Sequence, residues 1–219
     1  MRRFIDFKML TFLDKFVLGF TATFGKIISS QDLVYTLLTS LLAIYVFTNY
    51  KEKLYRVIAL FPLISILALG HLSPITFGIF PELETFYELI TVEDVMLTVE
   101  NCNELYYVLP IMFAFADFIA IGMSLLLLTK KYSHNLPLLI YFAGLASRII
   151  IAFSPTVFVS KTRTMIFFDF SMIIISYIIW QMLDKKDKKI NFVSSCIKIA
   201  AGMQYANTLV YIYSNKKLY

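Results

Sequence analysis

The chain has 219 residues, of which 59% are hydrophobic and 16% charged, and its mean hydropathy is +0.74. An ordinary globular chain is roughly half apolar and a quarter charged, so this composition excludes a water-soluble domain. The formal net charge is +5, but the basic residues cluster beside apolar runs, where they orient membrane spans. We therefore expect no binding of nucleic acid.

The sequence predicts a single membrane domain over residues 1–219, because no linker rich in Gly, Ser or Pro and no internal repeat divides it. Its two cysteines, Cys102 and Cys196, lie far apart and support neither a disulfide framework nor a metal site. The motifs of metalloproteases, nucleotide-binding loops and dinucleotide-binding folds are absent from the sequence. We expect no metal and no cofactor.

Long apolar runs define the predicted elements, because a helix needs roughly 20 apolar residues to cross the hydrocarbon layer of a membrane. Four or five runs meet this requirement, at residues 33–48, 54–71, 105–128, 136–153 and 165–183, and the first of them is short enough to need its polar flank. Two more, 9–28 and 192–213, contain polar residues such as Asp14 and Lys15 in the first of them. Each either crosses the membrane or lies in its interface as an amphipathic helix. The predicted fold is all-α, a polytopic transmembrane helix bundle of six or seven spans.

The basic residues predict the orientation of these spans, because cytoplasmic loops are rich in Lys and Arg. Three basic clusters alternate with the apolar runs: Lys51/Lys53/Arg56, Lys130/Lys131 and Lys185/Lys186/Lys188/Lys189. The loop at residues 72–104 then lies outside, and it contains seven acidic residues but no Lys or Arg. From Pro81 its apolar residues recur at helical spacing, which predicts a short helix resting on the outer membrane surface.

Three charged residues fall within the predicted spans, although a charge in lipid costs from about 2.5 kcal/mol upward and usually faces a protein interior or a cavity. Arg148 and Asp169 lie at similar depth on successive helices, which predicts an ion pair. The pair either fixes helix packing or belongs to a functional site. Asp117 has no evident cationic partner in the sequence, and it is either protonated or reaches a cavity.

The connector at residues 154–164 is unusually basic for the predicted outer face of the membrane. It contains Lys161, Arg163 and several hydroxyl side chains, but no acid. Such groups near a helix start are suited to phosphate or another anion, so we expect a lipid-phosphate site. Its candidate residues are Arg148, Ser154, Thr156, Lys161, Arg163 and Thr164. The alternative is a hydrated loop in contact with the headgroups of membrane lipids.

Within this connector the pattern S-P-T-x3-S-x2-R-T resembles the C-terminal part of an uncharacterised family of bacterial polytopic membrane proteins. Those proteins look like multi-spanning glycosyltransferases of the type that uses polyprenyl-phosphate sugars. The resemblance implies a multi-pass protein of the bacterial cytoplasmic membrane with a site for a lipid-linked sugar at its outer face. Arg148 and Arg163 would then contact the phosphate.

The chain departs from enzymes of that type at its first outer turn, residues 29–32. Those enzymes carry a catalytic acid in the first outer loop of a much longer chain, whereas Asp32 is here a single carboxylate in a tight turn. No catalytic role is assigned to Asp32, and the catalytic residues stay unknown. The chain is then a shortened or partial glycosyltransferase-like protein, with a membrane-protein partner that supplies the missing spans. The alternative is a non-enzymatic membrane transporter or accessory subunit.

Overall fold

A computed structural model describes residues 10–91, 105–132, 135–154 and 165–183 of the chain. Within these residues the protein is all-helical, which confirms the all-α part of the prediction. The helices of this part are α1 (Phe12–Ser29), α2 (Leu33–Asn49), α3 (Lys53–Ile66), α4 (Ser73–Ile79), α5 (Glu82–Thr91), α6 (Leu105–Tyr132), α7 (Leu136–Ile151) and α8 (Ile166–Met182). A π-helical turn, Leu67–His71, continues α3.

The chain divides into two units, Met1–Ile179 and Trp180–Tyr219. Helices α1 to α7, together with α8 up to Ile179, belong to the first unit. Of the second unit, residues 180–183 are described, and they include the end of α8. The packing of α1 to α7 and of most of α8 is therefore packing within the first unit.

Two helices of the described residues are long and apolar enough to cross a membrane: Lys53–His71, with 19 residues, and Val108–Lys130, with 23. Helices α1 and α2 pass the same test as a pair, whose axes are bent by 95° at the short break between them. Helices α7 and α8 are apolar but shorter. This part of the chain therefore has two helices of spanning length, or three if the bent pair forms one span.

Helix α1 begins at a capping box. The Thr11 hydroxyl accepts a hydrogen bond from the Asp14 N–H (3.2 Å), and Asp14 Oδ2 accepts one from the Thr11 N–H (3.0 Å). These bonds satisfy backbone donors that have no partner within the first turn of a helix. Asp14, which interrupts an apolar run in the sequence, is thus the residue that helps to start the helix.

A tight turn at residues 30–32 ends α1 and directs α2 away at nearly a right angle. Gln31 adopts a left-handed conformation with φ of 51°, and the Asp32 N–H donates to the carbonyl of Ile27 (3.1 Å). The Asp32 carboxylate then accepts from the N–H groups of Val34 and Tyr35, at 2.8 and 3.1 Å. An aspartate at this position satisfies the first donors of the helix and complements its dipole.

Helix α1 packs across α5, α6 and α7. Gly25 permits a close approach to α5, because a Cβ on this residue would lie 2.1 Å from the carbonyl oxygen of Ile90. Phe20 contacts Phe115 of α6, with ring centroids 4.3 Å apart. The sequence left the placement of residues 9–28 open, and the structure packs the helical part of this segment against protein, with most of its side chains buried.

Helices α2, α3 and α6 pack against one another. Where α2 ends, the Tyr50 hydroxyl donates to the carbonyl of Leu127 on α6 (2.5 Å), and Arg56 Nε donates to the Tyr50 carbonyl (3.0 Å). Partial burial raises the pKa of Tyr50, so its hydroxyl keeps the proton that this hydrogen bond needs. The connection between α2 and α3 is thereby tied to α6.

The short helix predicted after Pro81 is confirmed as α5. Its apolar side packs against protein: Leu89 and Ile90 are buried, and the Phe86 ring lies 5.3 Å from that of Phe113 on α6. Its acidic side chains are exposed. The apolar stripe that predicted contact with the membrane surface thus has α1 and α6 as its partners, because Gly25 leaves room for α5.

Replacing Gly25 with Ala should destabilise the protein, because the added Cβ would collide with a backbone oxygen that cannot rotate away. We expect the free energy of unfolding to fall by about 1–3 kcal/mol, the usual cost of overpacking. Denaturant-induced unfolding of the detergent-solubilised protein measures this change. The matched control is Gly78→Ala in α4, where nothing lies within 4 Å of the added Cβ. Equal stability of the two variants would contradict the packing of α1 on α5.

Candidate functional site

Asp117 lies near the middle of the 23-residue apolar segment of α6, and its side chain is 0% exposed. The Tyr35 hydroxyl of α2 donates a hydrogen bond to its Oδ2 atom. Among the residues that the structure describes, no group donates to Oδ1. Asp117 is therefore enclosed by the helices and has no direct access to water.

Two more hydroxyl groups lie near this carboxyl but donate elsewhere. Ser65 of α3 is beside Asp117, and its hydroxyl donates to the carbonyl of Phe61 (2.8 Å). Tyr141 of α7 is buried nearby, and its hydroxyl donates to the carbonyl of Phe118 (2.9 Å). Together with Tyr35 and Asp117, these residues form a polar cluster with one side chain from each of four helices, here called the Asp117 cluster.

Arg148 and Asp169 lie where α7 ends and α8 begins. Arg148, in the last turn of α7, is 4% exposed, and Asp169, in the first turn of α8, is half-buried. Their opposite charges interact. Gly144 allows a close approach of the two helices, since a Cβ there would lie 2.5 Å from the Ser171 hydroxyl oxygen. The structure thus brings the two residues together, and the ion pair itself stays a prediction.

Helix α1 covers the segment of α7 that contains Arg148, since a Cβ on Gly19 would lie 3.1 Å from the Cα of Ile149. Asp32, at the corner between α1 and α2, is near enough to act electrostatically on Asp169. Charged groups of α2, α7 and α8 therefore gather at one end of these helices. Arg148 supplies the positive charge in this group.

Ser154 follows α7, is half-buried and donates its N–H to the carbonyl of Ile151 (2.9 Å). It is the first residue of the connector and the one connector residue that the structure describes. The other predicted lipid-phosphate residues lie outside the described residues: Thr156, Lys161, Arg163 and Thr164. The structure thus places Arg148 and Ser154 of the predicted site, both at the end of α7. The segment 192–213 and both cysteines also lie outside.

Tyr35 is the functional candidate that the sequence did not identify. It lies 82 positions from Asp117 in the chain, so no local pattern relates the two residues. The available signal is a tyrosine inside an apolar run, one turn after the helix-capping Asp32. The same capping bonds give Asp32 a structural role.

An apolar groove of about 230 Å³ lies between α6 and α7. Its lining includes Phe20, Phe118, Met123 and Phe142, and it offers few polar groups. Within the four described ranges, no group of three or more His, Cys, Asp or Glu side chains is arranged to hold a metal ion. The chemical groups that the described helices offer are therefore the buried carboxyl, hydroxyl and guanidinium groups described above, beside apolar surface.

Comparison of the chain with protein-family models, with curated proteins and with solved structures finds no match. The resemblance of residues 154–164 to multi-spanning glycosyltransferases therefore stays a prediction from the sequence. The buried charges and the connector are the features from which function is inferred.

Arg148 and Asp169 should be energetically coupled. Asp169→Ala leaves the buried guanidinium without this carboxylate and should cost up to about 3–5 kcal/mol of unfolding free energy. Arg148→Ala should cost less, because Asp169 is less buried than the guanidinium. A double-mutant cycle on the detergent-solubilised protein should give a coupling energy of about 0.5–3 kcal/mol. Additive effects of the two substitutions would show that the residues do not form a pair.

Proposed function

We propose that the chain is a multi-pass protein of the bacterial cytoplasmic membrane that binds a polyprenyl-phosphate sugar through its phosphate, at the outer end of α7. The observation that carries the proposal is Arg148, a guanidinium that is 4% exposed in an apolar helix. It lies just before a connector that adds Lys161 and Arg163 without any acid. A buried charge in an apolar helix needs anionic groups beside it, and we propose that a ligand supplies one in addition to Asp169.

Exposed apolar surface supports the membrane location. Side chains on the outward sides of α6, α7 and α8 are largely exposed, for example Ile119 (61%), Phe142 (52%) and Phe167 (70%). Extended apolar surface of this kind is rare on soluble monomers and is normal in contact with lipid. To the two helices of spanning length the proposal adds α2, α7, α8 and one or both of 9–28 and 192–213, which gives six or seven spans.

Charge supports the proposed orientation. The exposed Lys53 and Lys130 lie at the start of α3 and near the end of α6, where these helices would enter the cytoplasm. The exposed acids of α5 lie on the connection between the other ends of the same helices. On this scheme α7 runs outward, so Arg148 and the connector lie on the outer side.

Cysteines placed at Glu88 and Lys53 test this orientation. Both native side chains are exposed, so a difference in labelling reports the side of the membrane rather than burial. After Cys102 and Cys196 are replaced by Ser, an impermeant thiol reagent should label Glu88→Cys on intact cells. Lys53→Cys should be labelled only after permeabilisation. Labelling of Lys53→Cys alone would invert the topology, and labelling of both on intact cells would mean that the chain does not cross the membrane between these two residues.

A guanidinium binds phosphate through two parallel charge-assisted hydrogen bonds, which an ammonium group does not reproduce. Arg148 has five N–H donors, and Asp169 lies near enough to act electrostatically on the group. Hydroxyls of the connector, beginning with Ser154, supply further donors. On the outer side of a membrane, an anion at this depth is the phosphate or pyrophosphate of a lipid.

The proposal assigns donor binding to this chain and does not assign it the chemical step. The carboxylate of the first outer turn, Asp32, is engaged as the cap of α2 and so is not positioned as a free base. We therefore propose a partial glycosyltransferase-like protein. A membrane-protein partner would supply the missing spans together with the catalytic acid.

Retention of a polyprenyl phosphate in native mass spectrometry tests the site, with the corresponding neutral polyprenol as the control lipid. Arg163→Ala should weaken retention about tenfold or more, since a charged hydrogen bond contributes roughly 1.5–3 kcal/mol. Arg163→Lys should fall between this variant and the wild type, because it keeps the charge and loses the planar fork. Arg148→Lys should behave in the same way as Arg163→Lys.

The matched control is Lys130→Ala, which removes an exposed positive charge near the end of α6, on the proposed cytoplasmic side. It should leave retention unchanged, so that any loss in the arginine variants is specific to the site. Equal retention of the phosphorylated lipid by every variant would mean that the connector is not the binding site.

A second candidate function is a non-enzymatic transporter or accessory subunit. It is favoured by the break between α1 and α2, since discontinuous helices with polar residues at the break form the substrate sites of many transporters. The enclosure of Asp117 and the capping role of Asp32 count against an open path along α2. Equal lipid retention in the preceding experiment would make this candidate the preferred one.

A further inference from the structure

We propose that Asp117 is a proton-binding site, in which a neutral carboxylic acid bridges Tyr35 of α2 and Ser65 of α3 inside the apolar bundle. The sequence leaves open whether this residue is protonated or reaches a cavity. The structure shows Tyr35 and Ser65 beside it, and these partners favour protonation. The proposal is independent of lipid binding at Arg148.

An ionised Asp117 would be poorly satisfied by its surroundings. A carboxylate only accepts hydrogen bonds, and it has about four lone-pair sites to fill. Tyr35 fills one of them at Oδ2, and in the described part of the chain nothing donates to Oδ1. The Ser65 and Tyr141 hydroxyls instead have backbone carbonyl oxygens as hydrogen-bond acceptors, at 2.8 and 2.9 Å.

The described groups that face Asp117 also lack a compensating positive charge. Helices α2, α3 and α7 contribute the hydroxyls of Tyr35, Ser65 and Tyr141, while α1 and α8 present phenylalanine rings to the next residue of α6. Arg148 lies two turns beyond Tyr141, about 10 Å farther along α7 at 1.5 Å per residue, where it interacts with Asp169. A carboxylate at this depth would therefore be a buried, uncompensated charge, which is strongly destabilising.

One proton on the carboxyl completes the hydrogen-bond network. The Tyr35 hydroxyl donates to one oxygen of the acid, and the acid becomes a donor itself. Ser65 Oγ is beside the acid and keeps lone pairs to accept this bond, because its own proton goes to the Phe61 carbonyl. The result is a continuous chain of hydrogen bonds from α2 through α6 to α3, in which every donor has an acceptor and no charge is buried.

Binding of this proton also removes the only charge from the interior of the Val108–Lys130 segment, which leaves Lys130 at its end. A helix that carries a neutral acid enters lipid at a much lower cost than one that carries a carboxylate. The bound proton thus serves both the insertion of α6 and its packing against α2 and α3.

Infrared difference spectroscopy of the purified protein at neutral pH tests the proposal. The spectrum of the wild type minus that of Asp117→Asn should contain the carbonyl stretching band of one protonated carboxylic acid, and this band should shift in D2O. Asparagine is isosteric, keeps an acceptor for Tyr35 and offers a donor to Ser65, so the variant should fold. The matched control is Glu88→Gln, whose exposed carboxyl should give carboxylate bands and no acid band in its difference spectrum.

Tyr35→Phe provides a second measurement that keeps Asp117 in place. Loss of the hydrogen bond from the tyrosine should shift the acid carbonyl band to higher frequency. A wild-type spectrum without an acid band, or an acid band that persists unchanged in Asp117→Asn, would overturn the proposal. Carboxylate bands lost in Asp117→Asn would show instead that Ser65 turns its hydroxyl from Phe61 to an ionised Asp117.

Discussion

The right-angle corner between α1 and α2 is the constraint on which the other features depend, because the acceptors at the end of one helix and the donors at the start of the next need partners outside the helix. Gln31 supplies the left-handed residue that the turn requires, and the Asp32 carboxylate accepts the first donors of α2. With the corner fixed, α1 runs over α5, α6 and α7 while α2 packs beside α3 and α6. The corner therefore directs Tyr35 toward Asp117 and directs α1 over the end of α7.

The helices accommodate polar groups in two different ways, according to depth. At the end of α7, Arg148 stays charged, because an opposite charge on α8 lies near it and the polar connector follows. In the middle of α6 no counter-charge is within reach of Asp117, and hydroxyls on neighbouring helices surround it instead. The first arrangement balances a buried charge with an opposite charge. The second gives a closed network that a ligand has no need to enter.

The apolar runs predicted the helices well, because hydrophobic length alone identifies a segment that can cross lipid, as it did for α3 and α6. Spacing within 81–90 likewise predicted α5 and its apolar stripe. The course of α1 was not predictable, since it depends on the contact of Gly25 with Ile90 of a later helix. The contact of Tyr35 with Asp117 was not predictable for the same reason, since the two residues lie 82 positions apart in the chain. Local composition reports the environment of a segment, whereas direction and pairing depend on contacts between segments far apart in the chain.

The glycine contacts of α1 have a consequence for biogenesis. Ribosomes deliver α1 to the membrane before α5 and α7 have been made, yet Gly25 and Gly19 fit against Ile90 and Ile149 of those helices. Helix α1 thus lacks these binding surfaces until the later helices have been made. Its docking depends on contacts between distant parts of the chain, which form late and slowly. Until then its apolar faces are open to other nascent segments, and holding them apart becomes a task for the insertion machinery.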